Sequence, residues 1–152
     1  MIKKHSKQDS KQVSKCLIVD GTKVLFLLRR ADDSYGNTWD LPGGHIKYGE
    51  TIEEGMKREV FEECGLVVKS TQRSVSYKDR NHIFFISEDW SGKLLEDLPE
   101  HQEAQWVEIK DIPKYNMGSF YQKAVDTLLS LSERSSLSYF GDSWLFNQEV
   151  GV

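Results

Sequence analysis

Between Gly43 and Leu66 the chain sets Glu50, Glu53, Glu54, Glu59, Glu62 and Glu63 among glycines, and no other stretch constrains the fold as tightly. Thr51 and Glu54 have the spacing of a capping box, in which hydroxyl and carboxylate each satisfy an orphan backbone N–H. Gly65 stands where a helix closes in the left-handed region. The stretch therefore predicts a helix from Thr51 to Gly65. At about 100° per residue, Ile52, Met56, Val60 and Cys64 share an arc of roughly 120°, the expected buried face. Glu59 and Glu63 fall along the edge of that arc, in line with Ile52, and Glu62 falls beside Glu59. Glu54, Lys57 and Arg58 take the outer side.

That placement has an energetic consequence. A carboxylate turned toward the protein body loses hydration at a cost of several kcal/mol, and like charges one turn apart repel. A divalent cation removes both penalties. Hard oxygen ligands in a loose cluster suit magnesium, with manganese as the alternative. The plainer reading is a solvated acidic face neutralised by Lys57 and Arg58. The position of Glu59 and Glu63 on the wheel favours the cation site, and Glu53 and Glu54 serve the helix dipole at the first turn.

The rest of the chain fits around this element. The 152 residues suffice for one domain with a single core. Before the helix, "VSKCLIVDGTKVLFLLRR" predicts a hairpin turning at Asp20-Gly21. Trp39–Gly44 reads as a short extended piece after a polar loop from Arg30 to Asn37. After the helix, strands are expected at Val67–Tyr77, His82–Ser87 and Ala104–Ile109, with a turn at Ser91-Gly92. A second helix over Ser119–Leu131 carries Phe120, Ala124, Val125, Leu128 and Leu129 on one face, a core stripe. Strands, helix, strands and a last helix predict an α/β (α+β) chain in which a mixed sheet lies between helices. Residues 1–12 read as a polar arm, 13–132 as the domain, and the aromatic stretch 133–152 as an extension packed on the domain or on a partner chain.

Net charge −4 gives no support to general nucleic-acid binding. Cys16 and Cys64 read as buried reduced thiols, which fits a cytoplasmic compartment. No run approaches the ~20 apolar residues of a membrane span.

The same stretch resembles the Nudix box, G-x5-E-x7-R-E-U-x-E-E-x-G-U with U aliphatic. Gly44, Glu50, Arg58, Glu59, Glu62, Glu63 and Gly65 occupy the fixed positions, with Val60 and Leu66 at the aliphatic ones. The resemblance implies an α/β/α sandwich and a hydrolase that cleaves a pyrophosphate bond in a nucleoside diphosphate linked to another moiety. It implies magnesium on Glu59, Glu62, Glu63 and the Gly43 carbonyl, with Glu50 supporting that shell and Arg58 orienting a glutamate. "EHQEAQW" offers Glu100 or Glu103 as general base, and spacing to Trp106 favours Glu100.

Similarity to MutT-like members weakly favours a (d)NTP pyrophosphohydrolase. It implies phosphate or sugar contacts from Arg30 and Arg80, with Arg29 a further candidate, and a base-reading amide at Asn116. Trp39, Tyr48 and Phe120 are available for stacking. The markers of ADP-ribose and dinucleoside polyphosphate hydrolases, a proline or a tyrosine past the box, fall in a window that reads "NHIF" here. Those activities, nucleotide-sugar hydrolysis and a non-catalytic nucleotide sensor on the same fold are the alternatives. A small nucleotide is the expected partner, with a homodimer allowed.

Overall fold

The structure is a computed structural model that describes residues 9–132. In chain order it comprises β1 (Asp9–Asp20), β2 (Lys23–Arg29), β3 (Trp39–Asp40), β4 (Gly43–Lys47), α1 (Ile52–Cys64), β5 (Leu66–Ser70), β6 (Arg73–Tyr77), β7 (His82–Ser87), β8 (Asp89–Gly92), β9 (His101–Glu108) and α2 (Gly118–Leu131). Short 3-10 turns at Lys78–Arg80 and Ile109–Lys114 join the later elements.

A seven-stranded mixed sheet runs β3-β2-β1-β7-β6, with β4 added against β1 and β9 against β2. The β1–β7 pair is parallel, and the other pairs of this sheet are antiparallel. Alternation along the central strands divides the core into two layers. Leu17 and Val19 of β1, Val24 and Phe26 of β2, and Phe84 and Ile86 of β7 pack with Ala124, Val125, Leu128 and Leu129 of α2. Cys16 and Ile18, Leu25 and Leu27, and Phe85 pack on the other face with Met56, Val60 and Cys64 of α1. Each such fully buried aliphatic or aromatic side chain contributes about 1.5–3 kcal/mol. The sheet thus lies between two helices, as the element order predicts.

Helix α1 starts and stops as its sequence dictates. The Thr51 hydroxyl accepts the Glu54 N–H at 3.1 Å, and the Glu54 carboxylate accepts the Thr51 N–H at 2.9 Å. Gly65 closes the helix in the left-handed region.

Four boundaries differ from the sequence reading. β1 begins at Asp9 rather than Val13, because its first residues continue along β4, with Asp9 opposite Lys47. The span Val67–Tyr77 is two strands in two sheets, since the polar run Lys69–Arg73 gives the chain nothing apolar to bury where it crosses. Ser91 and Gly92 form no turn. They end β8, which pairs antiparallel with β5, Leu66 opposite Gly92. Glu103, read as a loop residue, lies within β9 opposite Leu28 of β2. The arm through residue 8 and the extension 133–152 lie outside the described residues.

Candidate active site

The hairpin strands β1 and β2 pair with each other only beside their turn, Val19 with Val24 and Asp20 with Lys23. Away from the turn β1 is taken up by β4 and β7, and β2 by β3 and β9. At that end lies a cleft of about 430 Å³, whose lining comes from β1, the ends of β2 and β3, β4, the start of β9 and both helices.

One wall is acidic. Glu59 and Glu63 of α1 line the cleft together with Gly43 and Gly44 of β4. Glu63 is 6% exposed, and its Oε1 accepts the Gly43 N–H at 3.1 Å. Burial pushes its carboxyl up to about 7, against the pull of Lys15 and that hydrogen bond. The glycines are needed for the approach. A Cβ on Gly43, whose φ is +139°, would lie 2.1 Å from the Ser14 carbonyl oxygen, and one on Gly44 would lie 2.6 Å from the Glu59 carboxyl.

Arg58 gathers the rest of the acidic wall. Its Nε and Nη2 donate to both oxygens of Glu50 at 2.6 and 3.1 Å. Nη1 donates to Glu59 and to Glu62, each at 3.1 Å, and Nη2 also reaches the His45 carbonyl at 3.1 Å. The fork on Glu50 is the bidentate geometry that a guanidinium supplies and an ammonium cannot. It holds the Glu50 carboxyl below its ordinary range.

The opposite character appears at the cleft floor. Asp40, 4% exposed, takes hydrogen bonds from the Leu41 N–H at 2.8 Å, Arg29 Nη2 at 3.1 Å and Lys15 Nζ at 3.4 Å, and its Oδ2 lies 3.0 Å from His101 Nε2. Burial alone would raise its carboxyl, but Lys15, His101 and Arg29 bring it down to about 2. His101 is itself buried, and its Nδ1 has no hydrogen-bond partner.

A second cavity of about 230 Å³ shares Arg29, His82 and Tyr121 with the first. Tyr35, Arg80, Met117 and Phe120 complete it, and the Arg80 guanidinium lies 4.0 Å over the Phe120 ring. Stacked guanidinium and aromatic faces suit a flat, electron-rich ring.

Glu59, Glu63, Gly43 and Glu100 are brought into the main cleft, while Glu50 and Arg58 stand behind Glu59. Glu62 is turned to Arg58 with half its side chain exposed, and is not part of the lining. The Gly43 carbonyl already meets a cation, since Lys15 Nζ donates to it at 3.3 Å. Glu100 is exposed just ahead of β9 and lines the cleft, whereas Glu103 does not. Arg30 is not part of the lining and donates to the Pro99 carbonyl at 3.2 Å, while its neighbour Arg29 lines the cleft. Arg80 and Phe120 lie in the second cavity. Asn116 borders a separate depression with Pro113 and Gln122, and its Oδ1 accepts the Gly118 N–H at 3.3 Å. Trp39 packs edge-on against Tyr115, and Tyr48 is exposed.

The donor chemistry fits a hard divalent cation on Glu59 and Glu63. Both carboxylates border one cleft, and burial makes the ionised form of Glu63 costly even with Lys15 and His101 near it, a cost that a bound cation would relieve. Among the described residues no three acidic, histidine or cysteine side chains converge as a preassembled cage.

The sequence reading missed Lys15, Asp40, His82, His101 and Tyr121. For Lys15 a signal existed: it keeps the phase of Leu17 and Val19 on the inward face of a strand, where a charge needs a reason. His101 directly follows Glu100, but nothing local marks it or Asp40 as partners.

Comparison with known proteins agrees with this architecture. Residues 11–128 match the NUDIX domain family. The chain is 31% identical over 105 residues to an ADP-ribose pyrophosphatase from Methanocaldococcus jannaschii, covering 64% of this chain and 62% of that protein, so it spans under two thirds of that relative's length. It is 30% identical over 104 residues to a putative 8-oxo-dGTP diphosphatase from Bacillus subtilis, covering 65% and 67%. The crystal structure of the MutT protein from Bacillus halodurans superposes with a TM-score of 0.60 at 26% identity, over 75% of this chain and 78% of that one. With its box folded as an acidic cleft wall and a family match over most of its length, the chain belongs to the NUDIX family, on its MutT-like side.

Proposed function

We propose that the protein hydrolyses a pyrophosphate bond in a nucleoside diphosphate linked to a further moiety, with a nucleoside triphosphate as the favoured substrate and magnesium as the metal. One observation carries this reading: a cleft with a carboxylate wall and a cationic floor opens beside a cavity lined by aromatic rings and a stacked arginine. A pyrophosphate needs both charges, since its metal requires acidic ligands and its oxygens require donors. The adjoining cavity suits the planar base. The relatives named for ADP-ribose and 8-oxo-dGTP support the class of bond and leave the base and leaving group to experiment.

Glu59 and Glu63 would hold the ion, and Arg58 and Glu50 keep Glu59 in orientation. Magnesium, or manganese in its stead, would draw charge from the phosphate oxygens and lower the pKa of a bound water. Glu100, exposed at the rim of the cleft, is proposed as the general base that takes the water's proton. Arg29 and Tyr121 line both cavities and would fix the phosphates against the base.

A panel of dNTPs, oxidised purine nucleotides, ADP-ribose, nucleotide sugars and dinucleoside polyphosphates tests this, with phosphate release followed under magnesium and under chelator. Turnover of at least one member, abolished by chelator and reduced about a hundredfold or more in Glu63→Gln, is expected. Nucleotide binding without turnover on every substrate would replace the reading with that of a sensor.

A further inference from the structure

We propose that the Lys15 ammonium is a resident cation of the cleft, holding the position beside the Gly43 carbonyl that a metal ion would otherwise take and limiting the ions the cleft can load. The proposal rests on the pyrophosphohydrolase reading above for what the cleft contains. Its own support is geometric. Lys15 lines the cleft, is 7% exposed, and places Nζ 3.3 Å from the Gly43 carbonyl oxygen and 3.3 Å from Asp40 Oδ1.

Lys15 is the strongest cation acting on Asp40, but it is not alone there. Arg29 also gives Asp40 a full positive charge at 3.1 Å, and the Leu41 N–H and His101 add hydrogen bonds. With Lys15 the floor carries two fixed positive charges against one carboxylate, so it has positive charge to spare. The balancing negative charge must come from Glu63 across the cleft or from an anion that enters. An ammonium has three donors, and Asp40 and the Gly43 carbonyl use two, which leaves one for an incoming phosphate oxygen.

A divalent ion on the same carbonyl would stand within a few ångströms of that ammonium, in a partly desolvated site where like charges repel strongly. The acidic wall at Glu59 remains open to an ion, because Glu59 meets Arg58 through one oxygen only. The metal load of the free protein should therefore be low, with the lysine supplying charge where a further ion would sit.

The test is a manganese titration of the substrate-free full chain, read by calorimetry and by the paramagnetic signal of free manganese. Wild type, Lys15→Met and Lys15→Arg are compared. Lys15→Met is expected to gain one manganese ion per chain or to bind about tenfold tighter. Lys15→Arg, which keeps the charge, should titrate as wild type does. Where the methionine variant does not fold, Lys15→Gln carries the same comparison. Unchanged stoichiometry and affinity in folded Met and Gln variants would overturn the proposal and reduce Lys15 to a fastener of Asp40. That outcome leaves the hydrolase reading standing. Manganese binding by neither wild type nor the neutral variants would also overturn the proposal, and it leaves the hydrolase reading to the phosphate-release panel, in which the ion arrives with substrate.

Discussion

Two charged networks border the cleft, and they are inverses. At the acidic wall one guanidinium, Arg58, is shared by Glu50, Glu59 and Glu62. At the floor one carboxylate, Asp40, is shared by Lys15, Arg29 and His101. The first leaves negative charge in excess and is partly wet, with Arg58 22% exposed and Glu62 52%. The second leaves positive charge in excess and is nearly dry. A cation and a polyanion can therefore enter the same cleft, each toward the wall of opposite sign. The difference in burial also predicts that the wall serves turnover and the floor serves stability.

The largest effect should follow from neutralising the floor. Asp40→Asn leaves Lys15 and Arg29 buried without their counterion and should cost about 3–5 kcal/mol in urea denaturation. A loss below about 1 kcal/mol would break the contrast. The pH dependence should agree in sign. The folded carboxyl is held at about 2, below its ordinary 3.8, so its stabilisation is fully present above about pH 4 and is lost as pH falls through 2. Wild type should lose about 2 kcal/mol across that window by this route, and Asp40→Asn should lack that part of the decline.

At the wall the change should run the other way. Lys in place of Arg58 keeps the charge but cannot hold both oxygens of Glu50 while reaching Glu59, Glu62 and the His45 carbonyl. Exposure limits the loss of stability to about 1 kcal/mol. Turnover should fall about 10–100-fold, because Glu59 loses its orientation. Stability lost without a change in turnover would make the wall structural as well.

The same contrast explains what could be read from the sequence. The wall is local: Glu50, Arg58, Glu59, Glu62 and Glu63 lie on one helix and the turn before it, so a helical wheel and the box spacing bring them together. Even there the wheel missed that Arg58 reaches back to Glu50 instead of facing solvent, because a long side chain is not bound to its Cβ direction. It could not show that Glu62 would be taken up by Arg58. The floor is non-local. Lys15, Arg29, Asp40 and His101 come from β1, β2, β3 and β9, and only the strand register gathers them. Overall architecture was legible because periodicity marks the helices and the central strands, and capping sets the ends of α1. The break at Thr71-Gln72 and the pairing of β8 with β5 depend on which sheet edge each segment reaches, which the local pattern does not contain.

The smallest effect tests whether burial alone accounts for the Asp40 behaviour. Asp126, on α2, is a partly buried carboxylate whose Oδ1 has no hydrogen-bond partner. Burial pushes it up to about 6, moderated by a hydrogen bond from Gln122, the reverse of the shift at Asp40. A carboxyl whose folded pKa is raised favours the fold while protonated, so stability falls as pH rises from 3.8 through 6 and stays lower above. Asn carries no charge in either range. Asp126→Asn should therefore gain about 1 kcal/mol near pH 7 and nothing near pH 4, read as paired thermal melts. An equal gain at both pH values would assign the effect to packing. Only the pH-dependent gain supports the conclusion that cations, not burial, distinguish Asp40 from Asp126.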